Sequence, residues 1–170
     1  MGHRVELQEV SGDILAMRAG ALVNPWNRNF IPLWLRHAGG LSGKLKKLTG
    51  PQPWRDLARM GTLELGQAVA TGPGAFDLVD ELIHVAGLTR TWRATPESVR
   101  LSTQNAVALA RQHGHTTITM PLIGSGLGGL TAEDSRTAIT GALAALPPHE
   151  CPLRVALVEY QPSSRNGRTA

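Results

Sequence analysis

One cysteine, Cys151, is all the chain has for sulfur chemistry, so an internal disulfide framework is excluded. A reducing compartment follows, and a cytoplasmic location is expected. Cys151 itself reads as a small residue leading into the last strand rather than as a nucleophile. No apolar run approaches the ~20 residues of a membrane span. The opening MGHRVELQEV lacks the apolar core of a secretory leader, so no membrane partner is expected. There is no HExxH and no run of clustered Cys and His, so no metal and no cofactor is expected. Neither a Walker Gly-Lys-Ser/Thr nor a well-placed GxGxxG occurs. Internal repeats and linkers are missing too. The 170 residues suit a single domain over 1–160, expected to be monomeric, with a polar tail at 161–170 (QPSSRNGRTA).

Aromatic residues make up only 4% of the chain, yet four of the seven are tryptophan, so the place of each matters. Trp26, Trp54 and Trp92 read as packing residues. The net charge is +4, and the excess is uneven. Arg28, Arg36, Lys44, Lys46, Lys47, Arg55 and Arg59 lie in a stretch whose only acid is Asp56. Such a field favours an anionic partner. The lysine run itself reads as a solvated helix face that steers anions, without the interleaved aromatics of a nucleic-acid platform.

Short β-rich runs alternate with helical ones. Strands are expected at Val5 to Val10, Ala21 to Val23, Gln67 to Thr71, Leu82 to Ala86, Thr117 to Ile123 and Leu153 to Tyr160. Helices are expected from Ser42, as N-cap, to Leu48, and from Pro53 to Met60. A longer one opens at Thr95-Pro96 and ends at Gly114, and a last one runs from Thr131 to about Leu146. Strand followed by helix in this manner gives a mostly parallel or mixed sheet covered on both faces. Between the second strand and the first helix, Trp26 to Gly40 is long and irregular, a length more often functional than incidental.

The most informative stretch is Thr117 to Ser135. A β-like run passes through Gly124, Ser125, Gly126, Leu127, Gly128 and Gly129 into a helix capped by Thr131, with Glu133 and Asp134 in its first turn. Strand, glycine loop and helix N-terminus together present bare N–H groups to an anion. A tight turn needs one or two glycines; this one has four.

Taken in order, five stretches resemble the macrodomain family, which binds ADP-ribose. They are Ser11-Gly12-Asp13-Ile14, Leu22-Val23-Asn24-Pro25-Trp26-Asn27, Gly39-Gly40-Leu41-Ser42-Gly43, Leu65-Gly66-Gln67-Ala68 with the strand Ile83 to Gly87, and Pro121 to Gly129. The resemblance covers about Val5 to Tyr160. It implies an α/β fold: a three-layer α/β/α sandwich on a six- or seven-stranded mixed sheet, with a cleft at the carboxyl ends of the strands.

By this resemblance Asp13 accepts from the adenine amino group, Ile14 adds a backbone contact and Tyr160 stacks on the ring. Asn27 sits by the distal ribose. Gly39, Gly40, Leu41 and Gly43 form a first phosphate loop, and Gly124 to Gly129 a second. On residue chemistry alone, Asp13 better suits an Asx-type turn or cap, and Ser125 also suits a self-capped turn. Asn24 ties down backbone, and His84 is a bonded core histidine. Two departures stand out. The family's hydrolytic branch carries aspartate where this chain has Ser42. Another branch has Gly-Leu-Asp in the second loop and a lysine in the first region; here Gly126-Leu127-Gly128 and Asn27-Arg28 stand instead.

The resemblance implies an ADP-ribosyl hydrolase that removes mono-ADP-ribose from a macromolecule, foremost from an ester on an acidic protein side chain. Asn27, His37, Ser42 and Ser125 are the catalytic candidates. The alternatives are a non-catalytic reader of ADP-ribose and a hydrolase acting on ADP-ribosylated nucleic acid or on O-acetyl-ADP-ribose.

Overall fold

The computed structural model describes residues 2–28 and 40–161. His37, Gly39 and the tail beyond 161, on which several expectations fall, lie outside the described residues. Strands β1 (Glu6–Gly12), β2 (Ala19–Trp26), β3 (Ala68–Thr71), β4 (Val79–Ala86), β5 (Thr117–Pro121) and β6 (Arg154–Tyr160) form one six-stranded sheet. Its order is β1-β6-β5-β2-β4-β3. Every pairing is parallel except β3 with β4, so the sheet is mixed, with an antiparallel edge.

The helices are α1 (Gly40–Thr49), α2 (Gln52–Arg59), α3 (Pro96–Gln112) and α4 (Ala132–Ala144). Period-two alternation along the central strands supplies two apolar faces. Ala21, Val23, Ile83, Val85, Val155 and Leu157 pack with Val99, Ala106 and Val107 of α3 and Ile139 and Leu143 of α4. Leu22, Trp26, Leu82, Ala86 and Val158 pack with Leu45 of α1 and Trp54 and Leu57 of α2. The result is three layers, with α1 and α2 on one face and α3 and α4 on the other. Leu22, Leu82 and Leu157 are among the largest fully buried side chains, where truncation to alanine costs about 2–5 kcal/mol.

Local signals place the helix starts. Thr95 caps α3 in a reciprocal box with Ser98: its Oγ1 accepts from Ser98 N at 3.1 Å, and its own N–H donates to Ser98 Oγ at 2.9 Å. Ser98 Oγ also donates to the carbonyl of Gly87 at 2.8 Å, fastening α3 to the end of β4. Thr131 caps α4 by accepting from Asp134 N at 3.0 Å.

Three expectations need correction. Ser42 is not the cap of α1 but its third residue, since the helix begins at Gly40 with φ +60°. Strand β2 does not stop at Asn24-Pro25 but runs on to Trp26. Pro25 is accommodated because β2 pairs with β5 only at Ala21 and Leu22, so no β5 partner calls for the missing N–H. Trp92 is not buried in the core: it is 41% exposed, with φ 62°.

Candidate functional site

Strands β2 and β5 are neighbours, but the chain leaves them in opposite directions. From β2 it turns into α1 and α2 on one face and continues to β3 and β4. From β5 it passes through α4 on the other face to β6. Where connections diverge in this way the loops part and leave a crevice at the carboxyl ends of the strands. A cleft of about 550 Å³ lies there. Its walls come from the turn after β1, the end of β2, the start of α1, the loop after β5 and the end of β6.

Asp13 and Ile14 stand at one end. Asp13 Oδ1 accepts from Leu15 N at 3.0 Å and caps a short 3-10 helix, Ile14–Ala16. The Asx-type turn is therefore present, and the residue still lines the cleft. Tyr160 lies beside it, 56% exposed. Lys44 Nζ sits 4.4 Å from the centre of the Tyr160 ring and donates to its hydroxyl at 3.3 Å. Next to Tyr160, Glu159 accepts from Arg136 Nη2 at 2.6 Å.

On one side of the cleft, Gly40, Leu41 and Ser42 bring in the first turn of α1. The first four N–H groups of an α-helix have no partner within it. This first turn carries no acid, so the positive end of the helix is not neutralised locally. Ser42 Oγ donates to Asn24 Oδ1 at 2.9 Å and to the carbonyl of Pro25 at 3.3 Å. Asn24, fully buried, also donates from Nδ2 to Nδ1 of His84 at 3.1 Å. With Nδ1 accepting, Nε2 of His84 carries the hydrogen and donates to Thr71 Oγ1 at 2.9 Å. Burial pushes the His84 pKa down to about 3, so the ring is neutral. Asn24 thus joins side chains of α1 and β4 rather than holding loop backbone. His84 is the bonded core histidine expected from the sequence.

The opposite wall is the loop after β5, where each glycine has its own explanation. A Cβ on Gly124 would lie 2.5 Å from Ala94 Cβ, and one on Gly128 would lie 2.6 Å from the same atom and 2.7 Å from the Gly124 carbonyl oxygen. Gly129 has φ +78°. Packing and backbone conformation therefore require these three. Gly126 has neither constraint: nothing lies within 4 Å of its missing Cβ. It lines open cleft, and so does Leu127, 74% exposed.

Internal bonds fix the loop shape. Leu130 N donates to the Gly124 carbonyl at 3.1 Å, and Ala94 N to the Gly128 carbonyl at 2.9 Å. Ser125 Oγ donates to the Leu122 carbonyl at 2.8 Å, the self-capped turn. Among the described residues, no acceptor meets the N–H of Gly126, Leu127 or Gly128. Three consecutive unmet donors in a loop lining a cleft that the first turn of a helix also lines are complementary to an anion with several oxygens.

Of the residues singled out in the sequence, Asp13, Ile14, Gly40, Leu41, Ser42, Gly124 to Gly128 and Tyr160 come together in this cleft. Asn27, buried at 7%, does not contribute to its lining, nor do Gly43 and Gly129. His37 and Gly39 are outside the described residues. Sequence reasoning treated Lys44 as part of a solvated face, yet it lines the cleft. The signal was there: Lys44 follows Leu41 by three positions and Gly40 by four, so the three share a helix face. Leu88 and Glu159 were also missed, and nothing in their local sequence marks them.

The profile of the Macro domain family matches residues 23–139. An uncharacterized protein of Mycobacterium bovis is 25% identical over 139 residues, which are 82% of this chain and 37% of that protein. The chain thus spans little more than a third of that relative's length. An uncharacterized protein of Aeropyrum pernix is 31% identical over 144 residues, 84% of this chain and 72% of that protein. Among solved structures, the macrodomain of Mycobacterium tuberculosis DarG superposes with a TM-score of 0.73 at 19% identity, covering 94% of this chain and 99% of that one. A variant of the Oceanobacillus iheyensis macrodomain with ADPR gives 0.76 at 19% identity, covering 93% and 89%.

Proposed function

The chain belongs to the macro domain family, and from that premise we propose that its cleft binds ADP-ribose and that the protein hydrolyses mono-ADP-ribose from a modified macromolecule. The observation that carries the binding is the set of unmet N–H groups at Gly126, Leu127 and Gly128, in a cleft shared with the acid-free first turn of α1. A diphosphate fits between them, with oxygens to accept from both walls. The adenine lies at the other end, where Asp13 has a second carboxylate oxygen to accept from an exocyclic amino group. The face of the Tyr160 ring not covered by Lys44 stacks on the base. Lys44 adds positive charge near the nucleotide. The distal ribose points toward the carboxyl end of β2.

The bond we assign is an ester between the distal ribose and an acidic protein side chain. Water supplies hydroxyl to one side of the broken C–O bond and a proton to the other, giving free ADP-ribose and a carboxylic acid. The hydroxyls of Ser42 and Ser125 are engaged with protein acceptors, and a neutral serine hydroxyl is too weakly basic to take a proton from water, so neither serves as the general base. A phosphate oxygen of the substrate, fixed by the loop amides, orients the attacking water, and positioning with electrostatic preorganisation supplies the rate. The same engaged hydroxyls favour a second reading, a module that binds ADP-ribose without turning it over.

Calorimetric titration with ADP-ribose tests the binding; no heat and no thermal stabilisation at millimolar ligand overturns it. Release is followed from glutamate-linked ADP-ribosylated protein, with ADP-ribosylated DNA and O-acetyl-ADP-ribose alongside. Release from the protein ester supports our assignment, and release from another substrate alone reassigns the bond. Binding with no release from any of them establishes the reader.

A further inference from the structure

At the opposite end of the sheet from the cleft, a carboxylate of β4 meets two histidines from the turn that follows α3. Glu81 is the third residue of β4, His113 caps the end of α3, and His115 lies just before β5. Nδ1 of His113 is 2.9 Å from both carboxylate oxygens of Glu81, and Nε2 of His115 is 2.9 Å from Oε2. One ligand atom from each of the three lies within 4.8 Å of the others. The Glu81 and His115 side chains are largely buried, at 19% and 14% exposure, and His113 is 35% exposed.

We propose that Glu81, His113 and His115 form a binding site for a divalent transition-metal ion of the zinc class. Two imidazole nitrogens and a carboxylate oxygen are the donor set such ions take, at about 2.0–2.2 Å from each ligand atom. Ligands at that radius around a tetrahedral centre are about 3.3 Å apart. The observed 2.9 Å contacts are close to that spacing. Side-chain rotation draws the three ligand atoms, all within 4.8 Å of one another, onto the ion. Each ring already turns a nitrogen toward the same carboxylate, and the ion replaces the hydrogens now shared with it. Three protein ligands leave a fourth position for water.

The site is also supported from behind. A Cβ on Gly20 would lie 2.8 Å from Nδ1 of His115 and 3.0 Å from the carbonyl oxygen of Thr117. Only glycine at position 20 leaves room for the ring in this orientation. The bound ion ties β4 to the turn between α3 and β5, across the edge of the α3 layer.

The test uses the whole chain, stripped with chelator and titrated with Co²⁺ and Zn²⁺. Expected are one equivalent of Co²⁺ with visible d–d absorption of a four- or five-coordinate centre, displacement by Zn²⁺, and a rise in melting temperature with metal concentration. His115→Ala and Glu81→Gln should each weaken binding more than tenfold, since losing even an outer partner of a metal ligand costs about 10- to 100-fold. The His3 and His149 pair elsewhere on the surface is the control, and His149→Ala should leave the affinity unchanged. A chain that binds no Co²⁺, or binds it equally well in H115A, overturns the proposal. So does metal binding lost only in H149A. Circular dichroism on each variant separates loss of the site from loss of the fold.

Discussion

Ser42 on α1 donates its hydroxyl hydrogen to Oδ1 of Asn24 on β2 across 2.9 Å, and the same asparagine donates to His84 on β4. One buried amide thereby sets the position of the helix whose first turn lines the cleft. Asn24→Ala leaves the Nδ1 acceptor of His84 without its donor and the Ser42 hydroxyl without its main acceptor. Unsatisfied buried groups of this kind cost about 1–3 kcal/mol each. Denaturant unfolding should show a loss of that size, and calorimetry should show weaker ADP-ribose binding as α1 shifts. Unchanged affinity in a destabilised variant would mean that α1 does not hold the ligand.

Ser42→Ala asks a different question. Losing one neutral hydrogen bond costs about 1 kcal/mol of stability. If the substrate's phosphate orients the water, ester release by this variant should fall no further than its ADP-ribose affinity does. Intact binding with abolished release would instead assign the Ser42 hydroxyl a catalytic role.

Gly126→Glu and Gly128→Ala should separate ligand space from packing. At Gly126 the missing Cβ meets nothing within 4 Å, so the glutamate variant should fold and melt like the parent. Its carboxylate would occupy the diphosphate space with a like charge, and ADP-ribose binding should disappear. At Gly128 a methyl group meets Ala94 Cβ at 2.6 Å, and overpacking of that sort costs about 1–3 kcal/mol. Normal ADP-ribose binding by the Gly126 variant would rule out this loop as the phosphate wall.

Lys44 and Tyr160 form a partly exposed pair, for which a cation–π contact is worth about 0.5–1 kcal/mol. Lys44→Ala should weaken ADP-ribose binding several-fold and flatten its dependence on salt, because a charge near the nucleotide has gone. Tyr160→Phe should bind nearly as well as the parent, since the ring face is kept, whereas Tyr160→Ala should not. Equal affinities for the alanine and phenylalanine variants would remove Tyr160 from the adenine site.

Acid stability should carry the signature of His84. Its folded pKa, about 3 through burial, lies below the 6.5 of the free side chain. Above pH 6.5 both folded and unfolded chains hold the ring neutral, and its contribution is fully present. As pH falls below 6.5 the unfolded state takes up a proton that the folded state refuses. Stability should therefore fall by about 1.4 kcal/mol per pH unit from this group, down toward the folded pKa. His84→Gln should fall less steeply over that window in denaturant titrations, and an identical slope would contradict the assignment.

Much of this protein is determined by local sequence. Near-continuous apolar runs at Ala21-Leu22-Val23 and Leu82 to Ala86 mark strands buried on both faces. Thr95-Pro96 and Thr131 mark helix starts, because a capping hydroxyl answers the first N–H groups within three residues. The order of glycine and asparagine motifs points to the family, since backbone recognition of an anion leaves glycines in the chain. What the sequence leaves open depends on contacts between distant segments. It shows four glycines after β5, but only Ala94, some thirty residues earlier, separates those that serve packing from Gly126, which serves open space. It shows Ser42 as a cap, but β2 supplies the acceptor that makes the serine a brace for α1. It sets His113 and His115 on either side of Gly114 but leaves Glu81 some thirty residues away, and the meeting of β4 with the α3–β5 turn makes the three a cluster. Capping, alternation and turn chemistry act over a few residues and can be read along the chain. Cleft walls, buried polar networks and metal clusters arise from strand order, which is fixed only when the sheet assembles.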